Sequence, residues 1–184
     1  GTVNGNIGGR LGADAKCAAS TSAVAICGYR TKVRAFLTVT IDDQLQSMPA
    51  NFALAASAPI TSLNGTAFAT DWMAMFVGDG TGAGHWNEIP YSLATAGILP
   101  ASTRFWSGTF RNTPSGATNA TTIPLETCSS FTNAGSTWLD LGVAGSSSKT
   151  NAGWLSDGTV SGTTLTVSPV ACNTSHALLC VCGR

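Results

Sequence analysis

Four of the six cysteines, together with Trp138 and Trp154, fall in the C-terminal third of the chain, from Cys128 to Cys182, in a stretch rich in Gly, Ser, Thr and Asn. No part of that stretch carries helical periodicity. Residues of this kind bury little apolar surface, whereas ordering each one costs about 1–2 kcal/mol. Burial alone does not hold such a segment, and cross-links and buried indoles are what the sequence offers instead. Closing a loop as long as Cys128 to Cys172 stabilises a fold by about 4 kcal/mol through its effect on the unfolded chain. The expectation is a long, stapled loop region closed by a final strand.

Cysteines without Cys-x-x-Cys pairs or His-rich spacing favour disulfides, and disulfides favour an oxidising compartment, so the chain is expected outside the cell or on its surface. Gly1 to Arg10 has neither a basic nor an apolar leader region, which reads as a mature or excised piece. No apolar run approaches the roughly 20 residues that span a bilayer, so no membrane insertion is expected. The 184 residues suit one domain, 1–184, read as the C-terminal domain of a longer surface protein. Charged residues make up only 10% of the chain and the net charge is zero. Nucleic acid is thereby excluded as a partner, because binding it needs a field of clustered Lys and Arg.

Along the chain, Leu11, Ala15, Ala18 and Ala19 with Cys17 indicate a short helix, with Asp14 expected near its N-terminus. Tyr29 to Ile41 alternates as a strand, with Val33, Ala35, Leu37 and Val39 on one face and Arg30, Lys32 and Arg34 on the other. The basic triplet is either a docking patch for an acidic partner or a solvated strand face. Phe52 to Ala58 is a candidate second helix, Asp71 to Val77 a buried strand or a segment packed beneath a loop, and Phe105 to Phe110 an aromatic core strand. The glycine run 78–84 lacks the Lys-Ser/Thr ending of a phosphate loop and reads as a surface loop.

His85, Trp86, Asn87, Glu88 and Tyr91 form the most chemically varied patch outside the tail. Aromatic rings beside Asn and Glu can stack on and hydrogen-bond to a sugar, and Asp79 with Glu88 could ligate calcium through oxygen. No other cofactor is expected. From the tail, Trp138, Asp140, Trp154 and Asp157 join the candidate contact residues, with core packing as the alternative role of both tryptophans. In the last strand, a period of two puts Leu178, Cys180 and Cys182 on one face. If their neighbour is the N-terminal helix and the segment after it, Cys17–Cys180 and Cys27–Cys182 are natural pairs and Cys128–Cys172 staples the long loop, among the several connectivities that six cysteines allow.

Several fragments then coincide: Gly12-Ala13-Asp14-Ala15-Lys16-Cys17, Arg34-Ala35-Phe36-Leu37, Phe105-Trp106-Ser107-Gly108-Thr109, Cys128 followed by Trp138, and Cys172-Asn173-Thr174-Ser175-His176-Ala177-Leu178-Leu179-Cys180. In this order they resemble the bacterial family typified by leptospiral endostatin-like proteins, which belongs with the C-type lectin-like folds. The resemblance implies an α+β, C-type lectin-like fold with adjacent termini, one or two helices against a small antiparallel sheet, and a long disulfide-stapled loop region. It implies that Trp106-Ser107-Gly108 is the core Trp-x-Gly element, that Trp138 is core, and that Cys17–Cys180 and Cys128–Cys172 are the usual bridges, with Cys27 and Cys182 adding a third. The Glu-Pro-Asn or Gln-Pro-Asp and Trp-Asn-Asp strings of calcium-dependent sugar binders are missing from the tail, and the zinc-binding histidines of endostatin have no counterpart beside His85 and His176.

The family's members are surface or secreted proteins, several of them adhesins. The expected function is therefore adhesion to a host or prey surface protein or glycan, with a trimer implied if the domain tips a bacterial surface fibre. A carbohydrate-binding lectin, with or without calcium, is the alternative. An enzyme is the third class and is not the expectation. His85 and His176 read as loop residues rather than as catalytic bases, no pair among the acids stands out as a glycosidase pair, and Cys180-Val181-Cys182 reads as structural.

Overall fold

The fold is described from a computed structural model over residues 1–20, 23, 25, 27–28, 33–62, 64–76, 89–109, 127–136, 140–151, 153–161 and 164–183. Helix α1, Gly9–Ala19, buries Ala13 and Cys17 and leaves Leu11, Ala15 and Ala19 exposed, so its inner face is set by the cysteine rather than by Leu11. Asp14 lies in the middle of α1 rather than at its N-terminus. It is placed there by tertiary partners: its carboxylate accepts from the Ala35 backbone N–H at 2.8 Å and pairs with Arg34 at 3.7 Å.

Strand β2, Val33–Ala35, is shorter than the alternating run predicts, and residues 29–32 of that run, with Arg30 and Lys32, lie outside the described residues. The chain stays extended beyond β2, with Phe36 N–H donating to Leu179 O and Thr38 N–H to Ser107 O. Val33, Ala35, Leu37 and Val39 are all buried, as their shared face requires. Along the described part of the run, residues 34–38, the opposite face is not solvated either, because Phe36 and Thr38 are buried too. Arg34 is half-buried, packing its guanidinium over Phe52 while paired with Asp14.

This alternation divides the interior. Val33, Ala35, Leu37 and Val39 join Ile7, Cys17, Trp106, Cys128, Phe131 and Cys172 in one cluster, and Phe36 joins Phe68, Trp72, Phe76, Phe105 and Trp154 in another. Strand β5, Arg104–Trp106, splits the same way, with Phe105 in the second cluster and Trp106 in the first. Extended segments with a period of two serve as walls between two apolar compartments.

The largest sheet has four strands in the order β1 (Thr2–Val3), β11 (His176–Ala177), β5 and β7 (Ala144–Ser146). It is mixed rather than antiparallel, since β11 runs parallel to β5. The pairing Thr2↔Ala177 brings the two ends of the chain together. Strand β12, Cys180–Cys182, pairs antiparallel with β2, and the remaining pairs are β3 (Ile60–Thr61) with β4 (Ala67–Ala69), β6 (Leu141–Gly142) with β10 (Val170–Ala171), and β8 (Thr159–Ser161) with β9 (Thr164–Thr166). With few helices and small sheets the architecture is α+β.

Helix α2, Met48–Phe52, precedes the expected 52–58 helix. Pro49 suits its first turn, and Ala53, at φ 52, ends it in the left-handed region. Met73–Met75 is a 3-10 turn that buries Trp72, Met75 and Phe76 and leaves Met73 exposed, so 71–76 packs into the core through three side chains without being a strand.

Three disulfides close the fold: Cys17–Cys180, Cys27–Cys182 and Cys128–Cys172. The period of two in β12 explains the first two, because Cys180 and Cys182 share a face beside β2. The third anchors an unusual turn. Cys128, Ser129, Ser130 and Phe131 all have φ between 50 and 59, one turn of left-handed helix. L-residues pay about 1–2 kcal/mol each for that conformation. Here the turn is held by the bridge, by Thr127 Oγ1 accepting from Ser130 N–H, and by Ile7 and Gly8 N–H donating to Phe131 O. Beside it Trp106 Nε1 donates to Val3 O, and Gly108, at φ 62, sits where a Cβ would collide with Thr38 O and the Phe131 ring. The Trp106-Ser107-Gly108 string is therefore core, as expected.

Candidate functional site

Polar side chains concentrate at the end of the large sheet where β5 begins and β7 ends. The segment before β5 and the segment after β7 are tied to each other: Thr103 N–H donates to Ser147 Oγ, Ser147 N–H to Thr103 O, Ser147 Oγ to Pro100 O, and Ser102 N–H to Ser148 Oγ. Ser147 is fully buried, so these small hydroxyl side chains form a fixed platform. The 147–150 segment also receives residues 89–94, through Ile89 N–H to Thr150 O and Ala94 N–H to Ser147 O, both 2.9 Å. Tyr91 lies between those two attachments and is 47% exposed.

Asp157 stands at the centre of this end. It follows α3, Gly153–Ser156, and its N–H donates to Gly153 O with φ at 41. Its carboxylate is shared between two cations, Oδ2 lying 2.5 Å from Arg104 Nε and Oδ1 3.0 Å from Lys149 Nζ. Lys149 also donates to Gly158 O at 2.7 Å, which fixes it over the same loop. The Arg104 side chain is 43% exposed, and among the described residues its guanidinium pairs with Asp157 and donates to no other group. His176 follows from the register: with Ala177 opposite Phe105 in parallel pairing, His176 lies beside Arg104. Its ring stands edge-on to Trp106 at 4.6 Å, and Thr174 Oγ1 lies 2.9 Å from Nε2. Burial lowers the His176 pKa from 6.5, Arg104 lowers it further, and Asp157 opposes them. At neutral pH the imidazole is uncharged, leaving two cations against one carboxylate among the described residues.

The expected site residues thus separate. Tyr91 and Asp157 are brought to one end of the molecule through the 147–150 segment. Trp154, only three residues before Asp157, is core rather than a contact residue: it is 1% exposed and packs against Phe36, Phe68 and Phe105. Among the described residues its buried Nε1 has no hydrogen-bond acceptor. Asp140 is a loop strut, half-buried, accepting from Asn133 Nδ2 through its carboxylate and from Cys172 N–H through its backbone oxygen. Asp79, His85, Trp86, Asn87, Glu88 and Trp138 lie outside the described residues. Among the described residues no group of three or more His, Cys, Asp or Glu is placed to hold a metal ion, and no helix is long and apolar enough to cross a membrane.

Arg104, Lys149 and His176 were not among the residues expected at the site. Arg104 opens a strand whose aromatic pair marks it as core, and Lys149 sits in a Gly/Ser-rich loop. The Asp157-Gly158 dipeptide is the one local signal, since it marks a turn able to take positive φ. No protein-family model matches the chain, and no curated protein matches it significantly.

Proposed function

We propose that the chain is an extracellular binding module of C-type lectin-like fold, acting in adhesion to a surface protein or glycan, as the terminal domain of a longer bacterial surface protein or fibre tip. The observation that carries this reading is the end of the sheet around Asp157: an exposed tyrosine and a half-exposed guanidinium that, among the described residues, donates to nothing beyond Asp157, fixed on a scaffold closed by three disulfides. Rigid supports that present polar loops are how binding modules place contact residues. The adjacent chain ends, the buried Trp106 and the Cys17–Cys180 and Cys128–Cys172 bridges support the lectin-like part of the reading. The bridges also fit an oxidising compartment. A fibre-borne copy would be trimeric.

Binding of the oxidised domain to a broad glycan array and to a panel of matrix and plasma proteins, with calcium and with EDTA, tests this. Reproducible capture of a glycan or protein is the expected result. Loss in EDTA would bring Asp79 and Glu88 forward as calcium ligands, and a folded domain that captures nothing would contradict the proposal.

A further inference from the structure

Arg10 and Arg104, each paired with an aspartate, contrast a completed guanidinium with an exposed one. Arg10 places Nε and Nη2 on Asp43, Nη1 on Ala35 O and Nη2 also on Leu37 O, and its side chain is 13% exposed. Nothing further can bind there. Arg104 is paired with Asp157, closest at Nε, and among the described residues its guanidinium donates to no other group. A guanidinium held on one side by a carboxylate and exposed on the other presents the planar fork that matches an oxyanion in two-point contact.

The surroundings favour an anion there. Asp157 is already shared with Lys149, so among the described residues one positive charge has no counterion, and His176 beside Arg104 adds no charge at neutral pH. Asp157 sits at φ 41, a left-handed conformation that Asp tolerates in turns, and its two ion pairs hold the carboxylate between Arg104 and Lys149. The pinning costs Arg104 rotamer freedom in advance, which lowers the entropy lost when a ligand arrives.

We propose that Arg104 is the contact for the carboxylate or sulfate of an acidic glycan, with Tyr91 on the adjoining segment stacking on the sugar ring. The exposed tyrosine is what favours a glycan over an acidic peptide, since a sugar offers a flat apolar face beside its acid group. This rests on the reading of the chain as a surface binding module and names the ligand class of that module.

Calorimetric titration of the oxidised domain with 3′-sialyllactose, a heparin tetrasaccharide, neutral lactose and a poly-glutamate peptide tests it, on wild type and on Arg104→Gln and Arg104→Lys. The acidic sugars are expected to bind and lactose to bind poorly. Arg104→Gln should weaken acidic-sugar binding by about tenfold or more, Arg104→Lys should recover only part of it, and added salt should weaken the wild type. Sialyllactose without heparin, or the reverse, identifies the oxyanion as carboxylate or sulfate within the proposal. Binding of lactose and sialyllactose alike, untouched by Arg104→Gln, would overturn the anion contact and leave the binding module standing. Preference for poly-glutamate would overturn the glycan assignment. No binding by a domain shown folded, here and on the protein panel, would overturn both.

Discussion

Arg10, on α1, and Arg104, at the start of β5, each face an aspartate, and their surroundings differ in a way that separates scaffold from site. The Arg10–Asp43 pair is nearly enclosed, with side chains 13% and 18% exposed, and it ties α1 to the extended chain through two backbone carbonyls. The Phe52 ring covers its guanidinium at 5.0 Å. Arg104 shares Asp157 with a lysine, is 43% exposed and, among the described residues, donates to no other group. The same chemistry thus closes one region and leaves another ready for a partner. Trp154 and Asp157 repeat the contrast over three residues, one sealed in the aromatic cluster and one holding the open arginine.

The largest effect is expected at the sealed end of that second contrast. Trp154→Ala should cost about 3–5 kcal/mol of stability in a urea titration, because it empties the centre of the aromatic cluster. A near-neutral result would move Trp154 back among the contact residues. Arg10→Ala should follow at about 3 kcal/mol, since it strands Asp43 and two backbone carbonyls in a poorly hydrated place. Arg104→Gln should cost about 1 kcal/mol or less by the same measurement, as exposed ion pairs do. If the two arginine variants were equally destabilising, the distinction between closed and open pairs would be lost.

His176 reports on the open pair without disturbing it. NMR titration should place its pKa below 6.5, higher in Arg104→Gln, which removes a repelling cation, and lower in Asp157→Asn, which removes an attracting anion. Asn tolerates the positive φ at position 157, so that variant keeps the backbone. The stability consequence has a definite sign. A histidine whose folded pKa lies below its unfolded value binds more protons when unfolded, so stability falls as pH drops through about 6.5 towards the folded pKa and stays lowered below it. The groups facing the ring are Arg104 from β5, Asp157 after α3, Thr174 on its own loop and the Trp106 ring, and replacing His176 by Gln should flatten the dependence.

Much of the frame was legible because its signals are local or periodic. Alternation along β12 put two cysteines on one face, and alternation from Val33 to Val39 marked a buried wall. What alternation could not reveal is whether the second face is wet, and here the aromatic cluster covers it at Phe36. Strands of two or three residues, such as β1, β6 and β11, are too short to carry a period, so the mixed sheet had no sequence signal. Asp157 was readable as a polar residue at a turn, and Tyr91 as an aromatic beside polar neighbours. Their common location depends on hydrogen bonds from Ile89 and Ala94 to the 147–150 segment, and Arg104 reaches Asp157 across the sheet. Contacts so distant in sequence leave no spacing to recognise.

The central claim is that Arg104 belongs to a ligand site rather than to the scaffold, and one paired measurement on Arg104→Gln tests it most directly: the thermal unfolding midpoint beside the affinity for 3′-sialyllactose and the heparin tetrasaccharide. A midpoint close to wild type with affinity lowered by about tenfold or more is the expected result. A lowered midpoint with affinity unchanged would contradict the account and make Arg104–Asp157 a second structural pair.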